Sequence, residues 1–247
     1  MHSSVSLRIL TAMLLVVSAS TSSVSAQQKD PPLPALPGIS VDREKKIVDL
    51  EGVIIPALQP DWLELLACMP KSREHEAIIR IAAKPSHIHT SLMLIGLKAG
   101  TPARVEFKGE EPIYHPPKGD PVAVWIIYEK DGKEVTIPAS DWIVNQKTKE
   151  NLPDNIWLFT GSRLVEIDGK PVYIADVEGN ILSLVNFGDE VLARKTKMRG
   201  GQGGGGGDTW GANPKGIPKN GTKITVRLTP AKDDGKGDEG KEKEKAN

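Results

Sequence analysis

Short apolar runs broken by polar turns open the folded part of the chain and predict strands. Residues 39–41 and 46–55 are such runs, separated by a polar turn at 42–45, and residues 77–82 (AIIRIA) are β-branched enough to form another. The period changes at Lys84. Ile88, Leu92 and Ile95 fall at i, i+4 and i+7, a helical stripe that faces a core. Ser86, after Pro85, reads as the N-cap, and Gly96 or Gly100 as a left-handed terminator, so the spacing predicts a helix over 87–97. Strand patterning then resumes at 103–107, followed by a Pro-rich loop (EEPIYHPPKGDP) that carries His115. Residues 122–128 (VAVWIIY) are apolar on both faces, which places them centrally in a sheet. Asp131-Gly132 turns that strand back into 134–137, and Asp168-Gly169 joins 157–167 to 171–175. With 181–187 the latter pair reads as a three-stranded meander. Ser140 caps a short helical turn. Residues 222–228 (TKITVRL) alternate and form the last strand, entered through Asn220-Gly221. The pattern predicts the α+β class: one β-rich domain of antiparallel hairpins with one main helix near 87–97.

The ends of the chain follow other rules. Arg8, the apolar run 9–17 and the small residues Val24-Ser25-Ala26 form the n-region, h-region and cleavage site of a secretory signal peptide. The apolar run is too short to span a bilayer. The expected mature chain therefore starts near Gln27, is exported to the periplasm or beyond, and has no transmembrane segment. Residues 27–38 are a Pro-rich linker. Residues 199–207 (RGGQGGGGG) are a flexible excursion of the domain at 39–230 and lack the Gly-Lys-Ser/Thr of a phosphate loop. Residues 231–247 are charged, hold no core-forming residues and read as a disordered tail.

Charge and cysteine content narrow the function. Lysine plus arginine and aspartate plus glutamate stand at 32 each, and aromatic residues at 4%, which argues against nucleic-acid binding. A single cysteine, Cys68, precludes an intramolecular disulfide framework. Packing must then hold the domain, with Trp62, Trp125, Trp142 and Trp157 as large core candidates.

Residues 65–100 hold Cys68 and three of the five histidines, His75, His87 and His89. Thiolate and imidazole together suit zinc or copper. Residues two apart on a helix point about 200° apart, so His87 and His89 cannot share one ion there. Cys68, His75 and His89 with an open fourth position would make a catalytic-type metal site, with Glu76 orienting a ligand from behind. A Cys68 nucleophile with His75 or His89 as base and Glu76 as orienter is a second arrangement. The plainer alternative is a buried thiol, a histidine in a turn hydrogen bond and a solvated His75 ion pair. The chain has no His-Glu-x-x-His, Gly-x-Ser-x-Gly or Ser-x-x-Lys motif.

Several separated motifs resemble one family in the right order. They are Ala67-Cys68, Glu74-His75-Glu76, Lys84-Pro85, Ile88-His89 followed by Leu92, Asp141-Trp142-Ile143, residues 157–162 (WLFTGS), residues 183–187 with Asn186-Phe187, Ile217-Pro218 and Gly221-Thr222. Together they resemble the YdjY-domain family of exported bacterial proteins. The resemblance covers roughly residues 39–230, implies an exported setting and points to His89 rather than His87. Some members carry a ferredoxin-like label, but one cysteine cannot supply the four thiolates of a cubane cluster. The expected function is a non-enzymatic binding or scaffolding module for an unknown protein or small ligand. The alternative is a metal- or redox-linked domain using Cys68, His75, His89 and Glu76.

Overall fold

Buried and half-buried positions alternate along three long strands, and their registers stack the buried ones into continuous rows. The computed structural model describes residues 36–58, 60–196 and 209–232. The predicted signal peptide, most of the Pro-rich linker, the Gly-rich excursion and all but the start of the tail lie outside the described residues. Strand β2 (Ile47–Ile54) pairs antiparallel with the last strand, β10 (Lys223–Pro230), and β10 pairs antiparallel with β5 (Pro121–Lys130). Val48, Leu228 and Val124 form one cross-strand row, and Leu50, Val226 and Ile126 the next, all fully buried. Such rows of β-branched and leucine side chains are the packing unit of a sheet.

The sheet continues from β5 through β7 (Ile156–Phe159), β9 (Leu192–Ala193), β8 (Asn180–Ser183), β3 (Leu65–Cys68) and β4 (Ile79–Ile81), and β4 returns to β2. That last pairing closes an eight-stranded barrel, which removes the unpaired edges an open sheet would expose. Two strands, β1 (Ile39–Asp42) and β6 (Lys133–Pro138), hang outside the ring on β2 and β5. Along one edge, β2 and β5 thus each split their length between a ring partner and a flap.

The α+β expectation is overturned. Strand takes 46% of the described residues and helix 11%, and the architecture is a closed barrel rather than a hairpin sheet with a main helix. Two pairings are parallel, β3 with β4 and β8 with β9. The expected meander is also absent, because Leu164–Ile167 and Lys170–Tyr173 form a separate hairpin while β8 enters the barrel between β3 and β9. The Pro-rich loop is instead the second arm of a hairpin, Arg104–Lys108 with Glu111–His115. Of the tryptophans expected in the core, Trp142 and Trp157 are fully buried and Trp62 and Trp125 only partly.

The longest helix among the described residues, α1 (Pro85–Leu94), buries Ile88 and Leu92 as the stripe predicted. Its N-cap is Lys84, held extended before Pro85 at the first helical position, and not Ser86. Ser86 instead gives its backbone N–H and its hydroxyl to the two carboxylate oxygens of Asp176, at 2.8 and 2.7 Å. Asp176 sits on the one-turn helix α2 (Ala175–Glu178), so a carboxylate from elsewhere satisfies the positive end of α1. Gly96 (φ +91°) ends the helix. Its N–H reaches Met93 O and that of Leu97 reaches Leu92 O, the paired bonds of a Schellman cap. Among the described residues no helix is long and apolar enough to cross a membrane.

Candidate functional site

The predicted cluster separates. Cys68 is fully buried at the end of β3, packed with Ile55, Leu65, Ala77 and Phe187. Burial raises its thiol pKa to about 11, despite a hydrogen bond with Ser72. A shielded, protonated thiol is a packing residue and a poor nucleophile. His75 lies half-exposed on the 3₁₀ turn Glu74–Glu76, its Nε2 3.3 Å from Glu76 Oε1. Glu76 also faces Arg73 at 3.8 Å. Among the described residues no group of three His, Cys, Asp or Glu side chains is placed to hold a metal ion. Glu76 thus meets His75 and Arg73, and the set Cys68, His75 and His89 makes no such group. His87 starts the first turn of α1 with its backbone N–H on Lys84 O.

His89 is different. Its Nδ1 lies 3.1 Å from Gly161 O and 3.0 Å from the Tyr173 hydroxyl, while that hydroxyl donates to the same carbonyl at 2.9 Å. A carbonyl can only accept, so Nδ1 carries the proton and Nε2 is left with its lone pair. Phe159 and Tyr173 hold the ring edge-on, with centroids 4.9 and 5.6 Å away. Desolvation lowers the imidazole pKa below its ordinary value, although the Gly161 carbonyl favours the charged form. The neutral form is therefore the resident one near pH 7. Nε2 has no hydrogen-bond partner among the described residues, and it is not sealed off.

The cleft that His89 lines encloses about 440 Å³, with Tyr173, Leu164, Thr90, Gly161 and Arg163 on its walls. Its hydroxyls are committed elsewhere: Ser86 to Asp176, Thr90 to Ser86 O, and Tyr173 to Gly161 O. None is activated by His89 as a base would activate a nucleophile. Tyr173 is pushed well above its ordinary pKa, mainly by burial and then by Asp176, and stays a neutral donor.

The wall between β7 and the Leu164–Ile167 strand is a strained turn. Gly161 (φ +76°) and Ser162 (φ +56°) are both left-handed. A Cβ on Gly161 would stand 2.6 Å from Ala99 Cβ and 3.0 Å from His89 Cε1, so only glycine lets the imidazole this close. Ser162 is held there by its hydroxyl, which donates to Asp189 O at 2.5 Å. Non-glycine residues in this region cost energy and tend to mark functional positions.

On the far side of this turn lies the 186–190 loop, which the sequence reading passed over as a site. Glu190 is fully buried, and its Oε2 accepts the backbone N–H groups of Phe187, Gly188 and Asp189 at 3.1, 2.8 and 3.1 Å. Its Oε1 is buried with no hydrogen-bond partner among the described residues. Desolvation outweighs those amides and raises its pKa to about 7. The only available signal was its position beside Asn186-Phe187, since an acid next to a glycine ordinarily reads as a solvated loop. A larger groove, about 760 Å³, crosses β2, β5, β6 and β10, but its charges are mixed, with Glu51, Glu129 and Glu134 against Arg80 and Lys223. No pinned, open group comparable to His89 stands in it.

A closed, mostly β barrel with a histidine-lined cleft at one turn is the class that fold and site define. The chain belongs to the YdjY domain family, whose sequence model matches residues 39–229. No curated protein and no solved structure matches the chain. The stretches Ile88-His89, 157–162 and Asn186-Phe187, which carry the family resemblance, all meet around the Gly161–Ser162 turn.

Proposed function

We propose that this chain is an exported, non-enzymatic binding module that takes a small polar ligand in the His89 cleft. The observation that carries the reading is the pinned imidazole: Nδ1 is locked to Gly161 and Tyr173, and Nε2 offers a lone pair to a cleft about 440 Å³ in volume. A fixed acceptor among apolar and aromatic walls suits a ligand with one donor group and an apolar body. The committed hydroxyls and the shielded Cys68 favour binding over catalysis. Export rests on the signal-peptide pattern of residues 1–26.

Two measurements test this. Secreted in its native setting, the chain should begin near Gln27, and a mature protein that retains residues 1–26 would defeat the export half. Small polar compounds screened by ligand-observed NMR should give hits that weaken about tenfold or more in His89→Leu, the cost of losing a buried hydrogen bond. Binding should also fade on acidification, as the imidazole takes its second proton. Hits that ignore the substitution, or turnover that vanishes with it, would overturn the reading.

A further inference from the structure

Arg163 faces two clefts. It lines the His89 cleft on one side and a separate cleft of about 560 Å³ on the other, and Ser162 does the same. The second cleft is walled by Thr101, Pro102 and Arg104 from one side and by Asn186, Phe187 and Gly188 from the other. Among the described residues its walls hold two arginines and no carboxylate, in a chain whose formal net charge is zero.

We propose that this second cleft binds an oxyanion, a carboxylate or phosphate carried by a small organic molecule, with Arg163 as its principal ligand. Arg163 uses only Nε internally, donating to Gly188 O at 3.1 Å, and its two terminal nitrogens have no partner among the described residues. A guanidinium anchored through Nε presents its remaining fork in a fixed plane, the geometry that takes an oxyanion in a bidentate fashion. Arg104 stands opposite, tied at 3.0 Å to Glu106, whose second partner is His115. It supports the field more than the contact.

The anchor is itself built. Gly188 O is held in place because Glu190 gathers the three amides of residues 187–189 from behind. Ala103 O lies 3.2 Å from where a Gly188 Cβ would stand, so the loop is pressed against the opposite wall. Of the nearby acids, Glu190 is buried and Asp189 half-buried, and both have raised pKa values, chiefly from desolvation. They offset the arginines less than ionised surface carboxylates would. Asp189 keeps Oδ1 on the Asn180 amide at 2.7 Å, and feels the Arg163 charge only as a minor influence beside its desolvation.

The site is independent of ligand capture at His89, and the variants separate the two. Citrate and phenyl phosphate, titrated into the ¹⁵N-labelled full domain at low salt, should each give saturable shifts at Ser162, Arg163, Phe187 and Gly188. Arg163→Gln should weaken the tighter probe about tenfold or more, Arg104→Gln a fewfold, and His89→Leu not at all. Raising the salt should weaken binding further, since both arginines reach solvent. Preference for citrate assigns the site to carboxylates, and preference for phenyl phosphate to phosphates. Linear, unsaturable shifts, shifts spread over the lysines, or affinity unchanged in a folded Arg163→Gln would overturn the proposal.

Discussion

Arg194→Ala is expected to cost about 3 kcal/mol of folding free energy, the cost of leaving one half of a buried ion pair behind. Arg194 follows β9 and is only 7% exposed. Its Nη1 donates to Asp154 Oδ1 at 2.5 Å and also to the carbonyl of Ile156, the first residue of β7. The guanidinium also lies 5.8 Å over the Trp157 ring. One side chain thus clamps the β7–β9 seam, where the barrel has only two residue pairs to hold it. Alanine would leave the Asp154 carboxylate with the Ile156 N–H but no cation, and would take a donor from the Ile156 carbonyl. Lysine would keep the charge but not the fork, and should recover part of the loss. By contrast the Arg80–Glu74 pair, 3.3 Å apart with both side chains reaching solvent in part, is closer to the surface class worth about 0–1 kcal/mol. Urea denaturation of both arginine variants checks the ordering, and a loss at Arg194 no larger than that at Arg80 would refute it.

Glu190 gives the second large effect, and its sign is unusual for a carboxylate. Its folded pKa is raised to about 7 from the ordinary 4.5, so the folded state holds a proton the unfolded state has released. Stability from this group is fully present below pH 4.5 and is lost as pH rises towards 7. The loss amounts to about 3 kcal/mol at most, and it should be flat above that point. Protonation places the hydrogen on the unpartnered Oε1 and leaves Oε2 to its three amides. Asp189, also raised by burial, adds a slope of the same sign, while His89, lowered by burial, adds one of opposite sign below its ordinary pKa. Subtracting variant from parent isolates Glu190. Glu190→Gln keeps an oxygen for the amides and should flatten the slope between pH 5 and 7. Glu190→Ala should instead lose about 3 kcal/mol at acidic pH, because three buried N–H groups lose their acceptor. A parental stability that climbs with pH over that interval, unchanged in Glu190→Gln, would contradict the assignment.

How far the sequence could reach depended on whether a feature is local. The helix was legible, because Ile88, Leu92 and Ile95 repeat within one element and Gly96 supplies its own cap; the start moved from 87 to Pro85 because Asp176, ninety residues away, does the capping. The class was not legible. β3, β4, β8 and β9 run two to four residues each, and their apolar letters do not say which partner they meet. Closure depends on pairings such as Gly52 with Ile81 and Ser183 with Leu65, which no periodicity encodes. The same holds for the site. The family resemblance singled out His89 as a residue to inspect and grouped it with Cys68, His75 and Glu76. Its true neighbours, Gly161 and Tyr173, arrive from β7 and a later hairpin. Glu190 was invisible because burial of an acid is decided by what folds over it.

The placing of β10 between β2 and β5 has a consequence in time. The first long strand of the domain waits for the last one, so the rows built on Val48 and Leu50 stay open until residues near Leu228 have been made. Pairings of such sequence separation carry a large loop-closure entropy, and folds dominated by them form slowly, in milliseconds to seconds. A ribosome-bound chain lacking β10 has no native barrel to fall into. For a protein proposed to be exported this ordering would keep the polypeptide threadable until β10 has been made.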